Sequence, residues 1–373
     1  MDLTHTLLSQ IETPCLVIDV QKARENMTRM QKLADQCHCL LRPHIKTHKM
    51  SKFAQMQVNA GAVGITCAKV SEAEIMVTNG LTDVFIAYPM VGDFRIRHAI
   101  ALVPKTTRLI LAVDSIEGAL ALNKAAMDAG VFVEIRLEID TGMKRTGVLM
   151  EQAPETAKRI NEMSHLRLTG IYTYKSLIYQ SLPTDNSELA GLEEAKMMSD
   201  IANVLRTQGI GISDISVGST PTGIEAAKTG LVTEIRPGTY IFYDEMSMRR
   251  GICTFDEIAV KVYTTVISCP RDDYAVIDGG SKTFPADIPI RTPPENYQGY
   301  ATIENRDDLR LSRMSEEHGI ITSTIGKTNL SVGEIVSLIP IHVCTAINMQ
   351  NEVYLLDQNR LTRQKVEARG MMI

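Results

Sequence analysis

Short runs of β-branched and apolar residues recur through the first two thirds of the chain, separated by stretches with an apolar residue every three or four positions. The short runs are typical of buried strands, and the longer stretches are typical of amphipathic helices. Their alternation is the pattern of parallel strands joined by crossover helices. The predicted strands span residues 39–45, 64–68, 83–89, 108–114, 131–140, 166–174, 212–218 and 233–242. This α/β pattern favours a (β/α)8 TIM barrel, and a doubly wound open sheet with the same periodicity is the alternative.

After Phe255 the pattern changes to strands without intervening helices, at residues 257–269, 274–280, 334–343 and 352–356, with a proline-rich loop at 284–300. This texture predicts a C-terminal, mostly β domain. An early strand at 15–19 precedes the barrel pattern, and we expect it to join the β domain. The predicted division is therefore an N-terminal segment at 1–20, a barrel at 21–250 and a β domain at 251–373.

Composition excludes several classes of partner. The chain of 373 residues has a formal net charge of -5 with mixed signs, so no basic surface for nucleic acid or for a membrane is expected. Neither a secretory signal nor an apolar run of roughly 18 residues appears. The seven cysteines are odd in number and scattered, which suits reduced thiols. We therefore expect a cytoplasmic protein with a small-molecule substrate.

Lys46 follows the first predicted barrel strand directly, in the segment RPHIKTHK. Reactive groups of such barrels sit at the C-terminal ends of strands, so this position favours a functional role. A neutral lysine amine can attack an aldehyde and hold it covalently. For a lone lysine, a solvated basic loop is the commoner explanation, so the hypothesis depends on the position and the surrounding motif.

The segment SVGSTPTG runs from a predicted strand through Gly218, Ser219 and Thr220 to Pro221, a residue that the first turn of a helix accepts. Backbone N–H groups and hydroxyls in such a turn would bind an anion such as phosphate. Late barrel strands are where phosphate sites recur. An ordinary capped helix explains the motif equally well.

Two arginines also follow late strands. Arg145 comes just after the fifth strand in DTGMKRTGV, and Arg236 lies on the eighth strand with Gly238 and Tyr240, near the predicted anion site. A guanidinium is always charged and directional, so Arg145 suits contact with a phenolate oxygen. A structural ion pair is the alternative for this arginine.

The segment PIHVCTA near the C-terminus pairs a histidine with a cysteine. In a strand, His342 and Cys344 would project to the same face because side chains alternate with period two. Imidazole and thiolate suit zinc, and two protein ligands leave positions for water and substrate. Packing in a strand core is the alternative explanation for the pair.

Taken together, the segments resemble fold-type III pyridoxal-phosphate enzymes, specifically the D-serine dehydratase and D-threonine aldolase family related to alanine racemase. In chain order the segments that carry the resemblance are TPCLVID, RPHIKTHK, DTGMKRTGV, SVGSTPTG, EIRPGTY, DGGSK, EEHG and H-x-C. They extend over nearly the whole chain. The resemblance implies an alanine racemase-like barrel, a C-terminal β domain and a homodimer.

The resemblance also assigns roles to residues. It implies pyridoxal 5'-phosphate held on Lys46, Arg145 at its phenolic oxygen, and a divalent metal on His342 and Cys344. The expected metal is zinc, with manganese and magnesium as alternatives. The residues implied around the cofactor phosphate are Gly218, Ser219, Thr220, Gly238 and Thr239, and Tyr240 on the eighth strand is a further cofactor-binding candidate.

One segment departs from the relatives. Where they often carry a histidine followed by a glycine, GIYTYKSLIY has Tyr174, Lys175 and Ser176. Tyr172 or Tyr174 would face the pyridine nitrogen of the cofactor, but Arg236 matches the arginine that does so in alanine racemase. An arginine there would weaken the electron sink of the ring. The choice between these residues stays open at this stage.

The resemblance implies a lyase acting on a 3-hydroxy D-amino acid. Elimination of water, as in D-serine dehydratase, would give a keto acid and ammonia, and the family associates H-x-C with this activity. Retro-aldol cleavage to glycine and an aldehyde, as in D-threonine aldolase, is the main alternative. An amino-acid racemase and a non-catalytic pyridoxal-phosphate-binding protein are the alternatives of other classes.

Overall fold

The computed structural model describes residues 7, 9–291 and 296–373. In chain order the strands are β1 (Cys15–Asp19), β2 (Leu40–Leu41), β3 (Ile65–Cys67), β4 (Asp83–Pro89), β5 (Arg108–Val113), β6 (Val133–Asp140), β7 (Val148–Leu149), β8 (Leu166–Tyr172), β9 (Ile178–Tyr179), β10 (Leu182–Pro183), β11 (Asp214–Val217), β12 (Glu234–Ile235), β13 (Val260–Arg271), β14 (Tyr274–Ile277), β15 (Ala301–Ile303), β16 (Leu309–Met314), β17 (Gly319–Ser323), β18 (Ile335–Pro340), β19 (Glu352–Asp357) and β20 (Arg360–Lys365).

The α-helices are α1 (Val20–Gln36), α2 (Ser51–Asn59), α3 (Val70–Thr78), α4 (Asp93–Leu102), α5 (Ile116–Asp128), α6 (Ala153–Asn161), α7 (Ser187–Thr207), α8 (Gly223–Lys228), α9 (Glu245–Arg249) and α10 (Val343–Met349). Single 3₁₀ turns cover Ile45–Thr47, Val103–Lys105, Thr239–Ile241 and Phe255–Glu257. Within the described ranges, no helix combines the length and the apolar character that crossing a membrane requires.

The chain folds into two compact units. The barrel unit comprises Met27–Lys46, Met50–Gly238 and Gly370–Ile373. The β unit comprises the described residues up to Asn26 together with Thr47–Lys49 and Thr239–Arg369.

In the barrel unit, eight strands run parallel in the order β2-β12-β11-β8-β6-β5-β4-β3. A parallel bridge between His44 and Thr66 joins the first and last strands of this order, and Thr66 N donates to Pro43 O at 2.8 Å. The sheet is therefore closed, which confirms the predicted (β/α)8 barrel.

Two of the barrel strands are much shorter than the sequence pattern predicts. The strands β2 and β12 each cover two residues, and a 3₁₀ turn lies a few residues beyond each of them, at Ile45–Thr47 and Thr239–Ile241. Pro43 and Pro237 lie between strand and turn, and neither can donate a backbone hydrogen bond to a ladder. Apolar runs there continue past the point at which strand pairing stops.

The barrel interior contains a charged layer. Arg42, Arg136 and Glu234 are almost completely buried, and Glu234 accepts hydrogen bonds from both arginines. Arg42 also pairs with Asp83, and Arg136 with Asp214. Burial favours the neutral acid, but the two guanidiniums outweigh it and hold the pKa of Glu234 well below its usual range.

The β unit is built on an antiparallel sheet. The strands follow the order β14-β17-β16-β15-β18-β13, and β13 also pairs with β14, which closes a six-stranded ring. The strand β1 pairs antiparallel with β13 and parallel with β19, and β20 completes the extension. The core beside β1 includes Val17, Tyr263 and Tyr354.

Candidate functional site

Lys46 lies in the 3₁₀ turn that follows β2, at the carboxyl end of the barrel. Its side chain is half-buried, and Nζ lies 5.5 Å from the centroid of the Tyr174 ring. The guanidinium carbon of Arg145 lies 5.1 Å from the same ring. Cations at these distances are attracted to the face of an aromatic ring. The structure thus brings three of the predicted site residues together on one ring.

Tyr172 lies deeper in the barrel. Its ring packs edge-on against Phe85 with centroids 5.0 Å apart, and its hydroxyl donates to Glu138 Oε2 at 2.8 Å. Burial raises the pKa of Tyr172 well above its usual value, and the carboxyl of Glu138 raises it further. The phenol is therefore a neutral, anchored part of the barrel core.

Arg236 is also buried, just beyond β12. Its Nη1 donates to Ser216 Oγ and its Nη2 to the carbonyl of Thr173, each at 2.5 Å. Burial lowers the pKa of Arg236, whereas the nearby carboxylate of Glu234 raises it. Hydrogen bonds to Ser216 on β11 and to Thr173, just after β8, fix the guanidinium at the carboxyl end of the barrel.

The segment after β11 is a turn rather than a helix N-terminus. The sequence places a helix near Pro221, but Thr220 and Pro221 lie in the turn and α8 begins at Gly223 and covers six residues. The predicted position of Pro221 in the first turn of a helix is therefore wrong, and so short a helix contributes little dipole. Anion binding at this segment depends on the donors of the turn itself.

The geometry of this turn requires glycine at its start. Gly218 has φ +88°, and a side chain there would place its Cβ 2.7 Å from Gly223 Cα. Ser219 N donates to Thr222 Oγ1 at 3.3 Å, and the hydroxyls of Ser219 and Thr222 lie 2.9 Å apart. Two hydroxyls are therefore held at the carboxyl end of β11.

The predicted residues of the eighth strand continue into a second turn. Gly238 is the last residue of its range in the barrel unit. Just before it, the carbonyl of Pro237 accepts a hydrogen bond from His44 N at 2.9 Å. Thr239 and Tyr240 open the next 3₁₀ turn, in the β unit, and Tyr240 is fully buried. Thr239 Oγ1 lies 3.7 Å from Cys344 Sγ.

The prediction that His342 and Cys344 share the face of a strand is wrong. The strand β18 ends at Pro340, His342 precedes the first residue of α10, and Cys344 is in the first turn of that helix. Val343 N donates to Asp244 Oδ2 at 3.1 Å, which satisfies one of the helix's first N–H groups.

The two side chains nevertheless lie close together. His342 Nδ1 lies 2.6 Å from Asp287 Oδ2, and Thr345 Oγ1 donates to the same oxygen at 3.0 Å. Burial lowers the pKa of His342, but hydrogen bonds to Asp287 and to the Cys344 thiol raise it to about 11. Cys344 Sγ also lies 3.1 Å from Thr47 Oγ1.

The donor set suits a divalent metal. Histidine ligands of metals commonly bond a carboxylate through their other ring nitrogen, and Asp287 provides such a partner for His342. Imidazole and thiolate together are ligands that zinc prefers. In the described ranges, no three His, Cys, Asp or Glu residues gather as a closed metal site. A metal held by His342 and Cys344 would therefore keep positions open for other ligands.

The barrel residues suit an anionic cofactor. Among the residues the structure describes, Lys46 and Arg145 form no ion pair with a carboxylate. Phosphate needs several donors, and the turn at Gly218 holds two hydroxyls in place. Two cations that form no ion pair with the described residues, together with a hydroxyl-bearing turn in the same barrel, fit a phosphorylated aromatic aldehyde.

Sequence reasoning missed two residues that support these sites. Glu194 in α7 is fully buried and lies one helical turn from both Ala190 and Met198, which are also buried. A carboxylate on the apolar face of an amphipathic helix was the available signal. Asp287 lies in the proline-rich loop, and its neighbours in sequence give no signal.

Two family models match the chain. The model described as "Alanine racemase, N-terminal domain" matches residues 18–245, and the one described as "Putative serine dehydratase domain" matches residues 259–356. The chain is 32% identical over 358 residues to D-threo-3-hydroxyaspartate dehydratase of Delftia sp. (strain HT23), with 91% of this chain and 92% of that protein covered. It is 26% identical over 348 residues to D-threonine aldolase of Arthrobacter sp., with 92% and 89% covered.

Solved structures agree with these matches. The Delftia dehydratase is similar with a TM-score of 0.89 and 28% identity, over 98% of this chain and 99% of that chain. A mutant D-threo-3-hydroxyaspartate dehydratase in a metal-free form is similar with a TM-score of 0.88 and 27% identity, over 98% and 99%. The chain therefore belongs to the family of pyridoxal-phosphate-dependent lyases that includes D-serine dehydratase and D-threonine aldolase and has an alanine racemase-like N-terminal domain.

Proposed function

We propose that this chain is a pyridoxal-phosphate- and metal-dependent lyase that eliminates water from a 3-hydroxy D-amino acid, in the manner of D-serine dehydratase. The observation that carries the proposal is the pair of His342 and Cys344, with Asp287 bonded to the histidine. A racemase and a cofactor-storage protein have no use for such a pair. The likeness to the Delftia dehydratase over most of both chains supports the same activity.

In this proposal the barrel residues bind the cofactor. Lys46 Nζ holds it covalently, and Arg145 contacts its phenolic oxygen. Arg236 faces the pyridine nitrogen, because the Tyr172 hydroxyl is committed to Glu138 and the Tyr174 ring faces two cations. The residues that bind its phosphate are Gly218, Ser219, Thr220, Gly238 and Thr239, and Tyr240 is a further cofactor-binding residue.

Pyridoxal phosphate, when bound, would supply an electron-withdrawing ring, and a divalent metal would supply a Lewis acid. Lys46 Nζ, once the substrate takes its place, accepts the proton from the substrate Cα. His342 and Cys344 hold the metal, and Asp287 keeps the imidazole oriented. Within the β unit, Thr47 Oγ1 lies 3.1 Å from Cys344 Sγ and helps to hold the thiol in place.

We propose zinc as the metal, because a neutral imidazole and a thiolate are its usual ligands, with manganese and magnesium as the alternatives. The relative solved in a metal-free form supports a metal requirement. Metal analysis of the purified protein identifies the ion. Loss of activity on chelation and recovery with one added metal is the expected result.

The test of the function combines a covalent label with product analysis. Borohydride reduction followed by peptide mapping should place the cofactor on Lys46, and Lys46→Ala should have no turnover. With D-serine and D-threo-3-hydroxyaspartate the products should be ammonia and a 2-oxo acid. Glycine and an aldehyde would instead identify the aldolase activity that the Arthrobacter relative carries. Activity that survives complete chelation would favour a racemase.

We also propose that the protein is a cytoplasmic homodimer. The family resemblance supports the dimer, and the scattered cysteines are consistent with a reducing compartment. Light scattering on the purified holoenzyme should give twice the chain mass of 41.2 kDa. A monomer mass would contradict this proposal and leave the activity as a separate question.

A further inference from the structure

A buried carboxyl lies behind the turn that follows β11. Glu194 is completely buried on α7, and its Oε1 accepts from Gly218 N at 3.4 Å and from Lys175 N at 3.2 Å. Its Oε2 lies 3.2 Å from Thr222 Oγ1, and Thr222 Oγ1 lies 2.9 Å from Ser219 Oγ. These side chains form a row from the helix to the turn, with Glu194 at one end and Ser219 at the other.

The charge on Glu194 decides which way the hydroxyls in this row donate. An ionised carboxylate only accepts, so Thr222 must give its single hydroxyl hydrogen to Glu194. Thr222 then accepts from Ser219, and the hydrogen of Ser219 points back along the row. The Ser219 oxygen would present only lone pairs to a phosphate, and the carboxylate would add charge repulsion.

Protonation of Glu194 on Oε2 reverses the row. Glu194 then donates to Thr222, Thr222 donates to Ser219, and the hydrogen of Ser219 becomes available to a phosphate oxygen. No other bond is lost, because Glu194 Oε1 still accepts from the two backbone N–H groups and Thr222 still accepts from Ser219 N. The protonated form satisfies every member of the row and an incoming phosphate together.

The charged groups around Glu194 are occupied elsewhere. The ammonium of Lys175 pairs with Glu193, and on the neighbouring helix α8 Lys228 pairs with Glu225. The guanidinium of Arg236 donates to Ser216 and Thr173. Burial raises the pKa of Glu194, and this effect outweighs the lowering by Gly218 N and by the charge of Arg236. Protonation of a carboxyl in this environment is therefore accessible.

We propose that Glu194 is a positioning residue for the cofactor phosphate, and that it acts as the neutral acid which turns the Thr222 and Ser219 hydroxyls towards the anion. The inference rests on the proposed function, in which this turn binds the phosphate of pyridoxal phosphate. Cofactor binding is then coupled to uptake of a proton. Above the pKa of Glu194, the affinity falls by about tenfold per pH unit through this group alone.

The test measures binding rather than turnover. The dissociation constant of pyridoxal 5'-phosphate is determined from pH 6 to 9 by its visible absorption, on the full chain stripped of cofactor. In Glu194→Gln the dissociation constant should lose the part of its pH dependence that comes from uptake of one proton. The amide nitrogen donates to Thr222 at every pH, and the amide oxygen keeps both N–H bonds. Glu225→Gln, the same change on a partly buried acid of α8 that pairs with Lys228, should leave the wild-type profile intact.

A second variant, Thr222→Val, tests the same row independently in case Glu194→Gln does not fold. Thr222→Val interrupts the row and should weaken binding at every pH, also without the extra pH dependence, whereas Thr222→Ser should behave as the wild type. Calorimetry in two buffers of different ionisation enthalpy should record up to one more proton taken up by the wild type than by Glu194→Gln. Pyridoxal, which lacks the phosphate, should bind the two proteins equally.

Identical pH profiles and proton uptake in the wild type and Glu194→Gln would overturn the role of Glu194 while leaving the cofactor in place. If no protein in the series binds pyridoxal phosphate, the proposed function fails as well. The two failures are thus distinguished by whether the wild type binds the cofactor at all.

Discussion

Asp287 is a single residue on which the proposed metal site depends. Its Oδ2 lies 2.6 Å from His342 Nδ1 and accepts a hydrogen bond from Thr345. Asp287→Asn should weaken metal binding by roughly ten- to a hundredfold, because the amide no longer stabilises the oriented imidazole. The measurement is the metal retained during dialysis against increasing concentrations of chelator. Asp273→Asn, an exposed acid of the β unit, is the control, and equal retention in the two variants would contradict the role.

Tyr172 and Tyr174 have different environments in the structure, although from the sequence either could contact the cofactor's ring nitrogen. Tyr172→Phe removes the donor to the buried Glu138 and should lower the free energy of unfolding by about 1–3 kcal/mol. The visible spectrum of the bound cofactor should stay unchanged, since Arg236 is the proposed partner of the ring nitrogen. Urea unfolding and absorption spectra check both expectations. Tyr179→Phe in the small hairpin is the control, and a shifted cofactor spectrum in Tyr172→Phe would count against Arg236.

At the scale of elements, the barrel strands were predictable because several of them, such as β4 and β5, are short and largely apolar runs. The helix that carries Cys344, α10, was not predictable in the same way. IPIHVCTAI is too short and too apolar for periodicity to distinguish strand from helix. Asp244 accepts the N–H of Val343 from about a hundred residues away in sequence, and this contact helps to begin α10 there. The closeness of His342 and Cys344 was predictable from their spacing, but its geometry depends on a tertiary contact.

The connection from β8 to the β9–β10 hairpin contains a residue with a strained backbone. Ser176 adopts φ +59°, in the left-handed region that favours glycine. A side chain in this conformation costs about 1–2 kcal/mol, and glycine's greater freedom in the unfolded chain offsets roughly half of that. Ser176→Gly should therefore raise the free energy of unfolding by about 0.5–1 kcal/mol in urea titrations. Ser268→Gly in β13 should lower it, and a loss of stability in both variants would show that Ser176 is not strained.

For the molecule as a whole, buried acids act in opposite directions as the pH changes. Glu138, Glu194 and Asp244 have a pKa raised by burial, so what they contribute to stability decreases as the pH rises above their unfolded values. Glu234 has a lowered pKa, so its contribution is complete above the unfolded value and is lost as the pH falls. Neither set could be identified from sequence, because each depends on which charges the closed barrel brings together.

Glu234→Gln tests whether the charged layer holds the barrel together. The substitution leaves Arg42 and Arg136 buried with one fewer negative charge, and should lower the free energy of unfolding at pH 7 by about 3–5 kcal/mol. The difference from the wild type should narrow below about pH 4, because the unfolded wild type then gains the proton that folded Glu234 resists. Urea unfolding at pH 7, 5 and 3 measures both effects, with Glu225→Gln, at a partly buried acid outside the charged layer, as the control. Since an isolated buried ion pair often contributes little net stability, a loss under 1 kcal/mol at pH 7 would mean that the layer specifies the barrel's closure without stabilising it.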